Sequence, residues 1–115
     1  MIKSIKKNKI TKTVIKNADS NNRDDIQYEW MYYLETEIDF PFDAKVNLYP
    51  YSKVLNDGDI VKVTGIGDIV DLYGLLLKIK KGRKTLHCPL AELSVVDKGS
   101  QNHKIIDAYE EWEEN

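Results

Sequence analysis

Apolar residues recur at helical spacing in one part of this chain and at strand spacing in another, and the change comes at Pro41. Before it, Ile26, Trp30, Tyr33 and Leu34 follow one another at intervals that mark a single helix face. Asp24 or Asp25 is placed to cap that helix, which is expected to begin near Ile26. It is expected to stop before Phe40, because a proline disfavours the helical conformation in the residue preceding it. After Pro41, Ala44, Val46 and Leu48 alternate with Lys45, Asn47 and Tyr49, which is the period of a half-buried strand.

Turn residues then cut the chain into short pieces. NDGD at 56–59 is a turn signal, IVKVTGI at 60–66 reads as a second strand, and GDIVD at 67–71 as another turn. LYGLLLKIK at 72–80 reads as a third strand, with Gly74 marking a bulge. KKGR at 80–83 reads as a tight hairpin in which Gly82 takes a positive φ. KTLHC at 84–88 is a fourth strand, PLAEL at 89–93 a single helical turn, and LSVVD a fifth strand. Five short strands with glycine-rich turns predict a mainly β fold, a small five-stranded barrel. The single turn before the last strand favours the SH3-like version, by analogy with known folds. In NHKIIDAYEEWEEN, Ile105, Tyr109 and Trp112, with Ile106 beside them, predict a C-terminal helix to match the N-terminal one. Residues 1–24 are basic and then polar; Ile10, Val14 and Ile15 suit a poor strand or a short helix, NADSNNRDD reads as a linker, and the segment is expected to form a tail or a loosely docked arm. Residues 25–115 are expected to form one domain.

Length and composition agree with one soluble domain: 115 residues, 42% hydrophobic and 31% charged. No apolar run approaches the roughly 20 residues needed to span a bilayer, so no membrane association is expected. MIKSIKKNKI lacks an apolar h-region, so no signal peptide is expected either. A single cysteine, Cys88, excludes an intrachain disulfide and suits a reducing, cytoplasmic setting. The formal net charge is only -2, yet the charges are segregated. Residues 1–17 hold six lysines and no acid, 19–43 hold eight acids against Arg23, KIKKGRK at 78–84 holds five bases, and 105–115 hold five acids. Such blocks create local fields that the net charge hides.

Few residues offer catalytic chemistry. His87 and Cys88 are adjacent in a predicted strand, so they point to opposite faces and form no nucleophile–base pair. With His103 they are too few for a zinc site, which takes about four ligands. The glycines of GIGD and GDIVDLYG carry neither a phosphate-loop lysine nor a dinucleotide fingerprint. No enzyme is expected. The lysine-rich segments suit phosphate contacts, but the acidic blocks repel nucleic acid and no basic–aromatic platform is evident, so nucleic acid is not the expected partner. The acids remain. Glu35, Glu37, Asp39 and Asp43 cluster where the helix meets the FPF corner, near a helix C-terminus whose partial charge also favours a cation. Carboxylates are hard ligands suited to calcium, and a divalent ion relieves their mutual repulsion. Asp107, Glu110, Glu111 and Glu114 present the same choice on the last helix: an ion site, or a solvated charged face. No EF-hand loop is present.

The stretches WMYYLETEIDFPFDAKV, LNDGDIVKVTGI, YGLLLKIKKGRKTLHCPLAEL and IIDAYEEW, in that order, resemble a family of small bacterial calcium-binding proteins of the cyanobacterial type. Together they cover roughly residues 29–115. The resemblance implies an SH3-like barrel with flanking helices. It also implies Ca2+ bound by surface carboxylates without an EF-hand, in calcium buffering or signalling. It places Glu37, Asp39 and Asp43 in the acidic part of the helix–FPF motif and the C-terminal acids in IIDAYEEW. The alternative is a metal-independent protein-interaction module, for which Tyr49, Tyr51 and Tyr73 are the exposed aromatic candidates.

Overall fold

A computed structural model describes residues 8–47, 54–70 and 74–114. The chain divides into two units. A helical unit takes the chain up to Ile38 and again from Gln101, and a sheet unit takes Asp39–Ser100.

The helical unit holds α1 (Lys9–Asn17), α2 (Arg23–Glu37) and α3 (Gln101–Glu114), and each helix touches the other two. The segment expected as tail or arm thus contains a helix. Asn8 caps α1 by accepting from the Ile10 N–H at 2.8 Å, and Thr11 and Val14, three residues apart, are buried. The cap of α2 is Asn22, not Asp24 or Asp25. Its side-chain oxygen accepts from the Asp24 N–H at 2.7 Å, so the helix starts earlier than expected. Asp24 and Asp25 sit instead in the first turn, where carboxylates complement the helix dipole. Ile26, Trp30 and Leu34 are buried as their spacing predicts, while Tyr33 is half-buried. Trp30, fully buried, meets Tyr109 edge-on at 5.4 Å and Trp112 at 6.1 Å between ring centroids. Gln27 donates to the Tyr109 hydroxyl at 2.6 Å.

The sheet unit is a five-stranded antiparallel sheet. Its strands are β1 (Phe42–Val46), β2 (Ile60–Val70), β3 (Gly74–Lys81), β4 (Lys84–Pro89) and β5 (Leu93–Val95), in the order β4-β3-β2-β1-β5. The ladders do not join β4 to β5, so among the described residues the sheet is open rather than a hydrogen-bonded barrel. Ala44, Val46, Val61, Val63, Leu77 and Ile79 are buried and alternate with exposed Asp43, Lys45, Lys62, Lys78 and Lys80, the pattern of a sheet with one covered face. Gly82 turns the β3–β4 hairpin at φ 61°, as expected, and a 3-10 turn at Leu90–Glu92 precedes β5.

The expected turn at 67–71 is not one as far as Val70. β2 continues through it, and the register against β3 slips by one residue near Thr64 and again at Gly67–Asp68. The irregularities therefore lie on β2, while Gly74, at φ 68°, pairs with Val70 at the start of β3. Gly67 explains why the second slip fits. A Cβ there would lie 2.9 Å from the Leu76 carbonyl oxygen and 2.7 Å from His87 Cδ2. His87 has room to move, but the Leu76 backbone is tied into the ladder. Gly67→Ala is accordingly expected to destabilise the protein by about 1–3 kcal/mol, read from the urea midpoint. An unchanged midpoint would show that the two strands are not so closely apposed.

Candidate functional site

The acids singled out in the sequence fall into both units. Glu35 and Glu37 lie in the last turn of α2, both exposed, and α2 has no basic residue there to offset its dipole. Asp39 and Asp43 belong to the sheet unit and are also exposed. Asp43 heads β1 opposite Lys62 of β2, and its carboxylate accepts the Lys62 ammonium at 2.9 Å. With both side chains about half exposed, that pair adds little stability but does neutralise the acid locally. The Phe40 and Phe42 rings flank the corner at 6.0 Å from each other, and both are half-buried.

The four acids of α3 differ among themselves. Burial of Ile105, Ile106, Ala108 and Tyr109 fixes which side of α3 is covered. Asp107, Glu111 and Glu114 then lie exposed, and Glu110 is left half-buried. Spacings of three and four residues put Asp107 and Glu114 beside Glu110 on the helix surface. Burial first, then the charges of Asp107 and Glu114, push the Glu110 carboxyl up to about 7. Among the described residues, no three histidine, cysteine, aspartate or glutamate side chains converge as a ready-made ion site. The structure thus brings Asp107, Glu110 and Glu114 within electrostatic reach of one another without gathering their oxygens around a point.

Two cations that the sequence reading passed over decide which acids are offset. Arg23 donates from Nη2 to the Glu113 carbonyl at 3.0 Å, lies 3.6 Å from the Glu113 carboxylate, and stacks its guanidinium over Trp112 at 4.4 Å. It serves the negative end of α3 and its aromatic anchor together. Its position as the one base among the acids of 19–43 was the available signal. Lys81 donates to Asp59 at 2.6 Å and to the Val54 carbonyl at 2.7 Å. That hydrogen bond, with the Asn56 N–H, holds the Asp59 carboxyl below the usual range. Cys88 is buried and His87 is exposed, as strand alternation requires. Burial and the nearby charge of Glu92 push the thiol up to about 11, so it stays protonated at neutral pH. Tyr49, Tyr51 and Tyr73 lie outside the described residues.

The raised Glu110 has a consequence for stability. The folded protein holds this proton more tightly than the unfolded chain does. Stability is therefore expected to fall as pH rises from the ordinary glutamate range to about 7, and to level off above it. Glu110→Gln removes that slope. Urea midpoints at about pH 5 and about pH 8 in excess chelator check it, and an equal drop in both proteins would exonerate Glu110.

The comparisons with known proteins bear on this acidic surface. A family model described as calcium binding, that of CcbP, matches residues 8–113. No curated protein sequence matches the chain. The crystal structure of Anabaena CcbP superposes with a TM-score of 0.71 at 17% identity, covering 96% of this chain and 94% of that one. A calcium-binding protein in its calcium-binding form superposes with a TM-score of 0.66, again at 17% identity and with the same coverage. At such identity the likeness is one of fold. The family match spans nearly the whole described chain, both helices that carry the candidate acids and the sheet between them in sequence, and this protein belongs to the CcbP calcium-binding family.

Proposed function

We propose that this chain binds calcium through surface carboxylates outside any EF-hand loop, with Asp107, Glu110 and Glu114 of α3 at the centre of the site. Glu110 carries the reading. Its carboxyl is half-buried beside two further acids, and among the described residues no basic side chain pairs with it or with its two neighbours. A divalent cation is the counter-charge such a group favours, and carboxylate oxygens are the donors calcium takes. The donor set fits calcium as an acidic surface on which an ion recruits its ligands. It is not a preassembled cage. Of the other acids the sequence singles out, Glu111 shares α3, and Asp43 is the poorest candidate because Lys62 already holds it. Bound calcium supplies positive charge that lowers the cost of keeping these acids ionised together.

A site of this kind binds modestly, with a dissociation constant of roughly 10⁻⁵ to 10⁻³ M. Binding of this strength is reversible rather than permanently structural, and its tight end, near roughly 10⁻⁵ M, reaches the sensor range that signalling in a cytoplasmic setting requires. The strand order, with a single 3-10 turn before β5, supports the SH3-like description of the sheet unit. The inert Cys88 thiol and its separation from His87 support a binding protein rather than an enzyme.

Calorimetry on chelator-stripped protein tests the reading at about 0.15 M salt, where a diffuse ion atmosphere is screened. Asp107→Asn with Glu110→Gln and Glu114→Gln is expected to weaken calcium binding by roughly tenfold or more while leaving the fold intact. Asp39→Asn with Asp43→Asn is expected to have the smaller effect, since one of its two charges is already offset. No heat at millimolar calcium would sink the proposal, and a larger loss in the second variant would move the site to the FPF corner.

A further inference from the structure

Two surfaces of this chain are left in water in a form that the calcium reading does not use. On α2, Tyr28 and Tyr32 are 62% and 63% exposed, one turn apart. At about 100° per residue, Asp24, Asp25 and Glu35 share that side of the helix, opposite the buried Ile26, Trp30 and Leu34. Two large aromatic side chains in solvent, rimmed by carboxylates, have the make-up of an interface anchor.

The sheet unit carries the opposite charge. Lys45, Lys62, Lys78 and Lys80 stand on the exposed side of β1, β2 and β3. Register sets Lys62 beside Lys80 and Lys45 beside Ile60, which is itself 57% exposed. An open recess of about 460 Å³ lies here, lined by Asp43, Ile60, Val61, Lys62, Lys80 and Gly82 among others. Its apolar part and its net basic rim, in which Asp43 offsets one lysine, complement the tyrosine pair and its acidic rim.

We propose that the protein self-associates, the Tyr28–Tyr32 face of one copy seating on the Ile60 recess of a second. Asp24, Asp25 and Glu35 then meet Lys45, Lys62, Lys78 and Lys80. Nucleic acid would account for the lysines but leaves the tyrosines and the acids of α2 unused. A basic peptide would account for α2 but not for the sheet. A second copy accounts for both surfaces at once, and every molecule carries both. Opposite fields steer the encounter, and the tyrosine rings and lysine stems supply the buried area. The two surfaces differ, so the contact is heterologous and either closes reciprocally or runs on as a chain.

Sedimentation equilibrium of the full chain in excess chelator tests this. A negative result there leaves the calcium reading, measured by calorimetry, untouched. The mass is expected to rise reversibly with protein concentration and to fall back as salt is added. Tyr28→Ala with Tyr32→Ala, both at exposed positions, is expected to weaken association by at least about tenfold. Lys62→Glu with Lys80→Glu, and separately Asp24→Lys with Glu35→Lys, are each expected to stay monomeric. Mixing those two charge variants is expected to restore association, because each altered surface finds its complement on the other protein. That recovery also shows that both variants are folded. Wild type that stays monomeric up to roughly 1 mM overturns the proposal. So does a failure of the mixed variants to associate, or a short DNA duplex bound through Lys62 and Lys80 by a protein that remains monomeric.

Discussion

Burial of Trp30 is the constraint from which the electrostatics of the helical unit follow. Its indole is closed off from water and meets Tyr109 and Trp112. Covering those rings fixes the rotation of α3 about its own axis. Once Tyr109 is inside, its neighbour Glu110 must ride the edge of the covered side, where water reaches only part of the carboxyl. Its neighbours at i−3 and i+4 are Asp107 and Glu114, and no rotamer choice moves them to another face. An aromatic packing requirement thus becomes a carboxylate with an unusual proton affinity.

The fold also sorts its acids into those it gives a basic partner and those it leaves without one among the described residues. Arg23 takes Glu113, Lys62 takes Asp43, and Lys81 takes Asp59. The first and third also hold structure together: a helix end in one case, and the loop at Val54–Asp59 against the β3–β4 hairpin in the other. The Asp107, Glu110 and Glu114 set is not offset in this way among the described residues. Which acids keep a counter-charge is decided here by the placement of a few basic side chains, not by how many acids the chain has.

The sequence by itself determined the element types and most of their limits. Period-two alternation at Ala44 and Val46, positive-φ glycine at 82, and helical spacing at Ile26, Trp30 and Leu34 are local signals, and local physics enforces them. The family resemblance, too, was legible in motif order. Tertiary structure decided the rest. It kept β2 extended through Gly67–Val70, because partners on β3 outweigh the turn preference of Gly-Asp. It showed α1 as a helix with Val14 fully buried, where a lysine-rich sequence of weak local preference read as an arm. It left the sheet ladder open between β4 and β5, which strand count does not specify. Above all it decided which acids meet which charges. The pairing of Asp43 with Lys62, and of Glu113 with Arg23 ninety residues earlier in sequence, depends on register and helix packing over long separations. Spacing along one element reveals neighbours on that element, while charge balance at a site is summed over all of them.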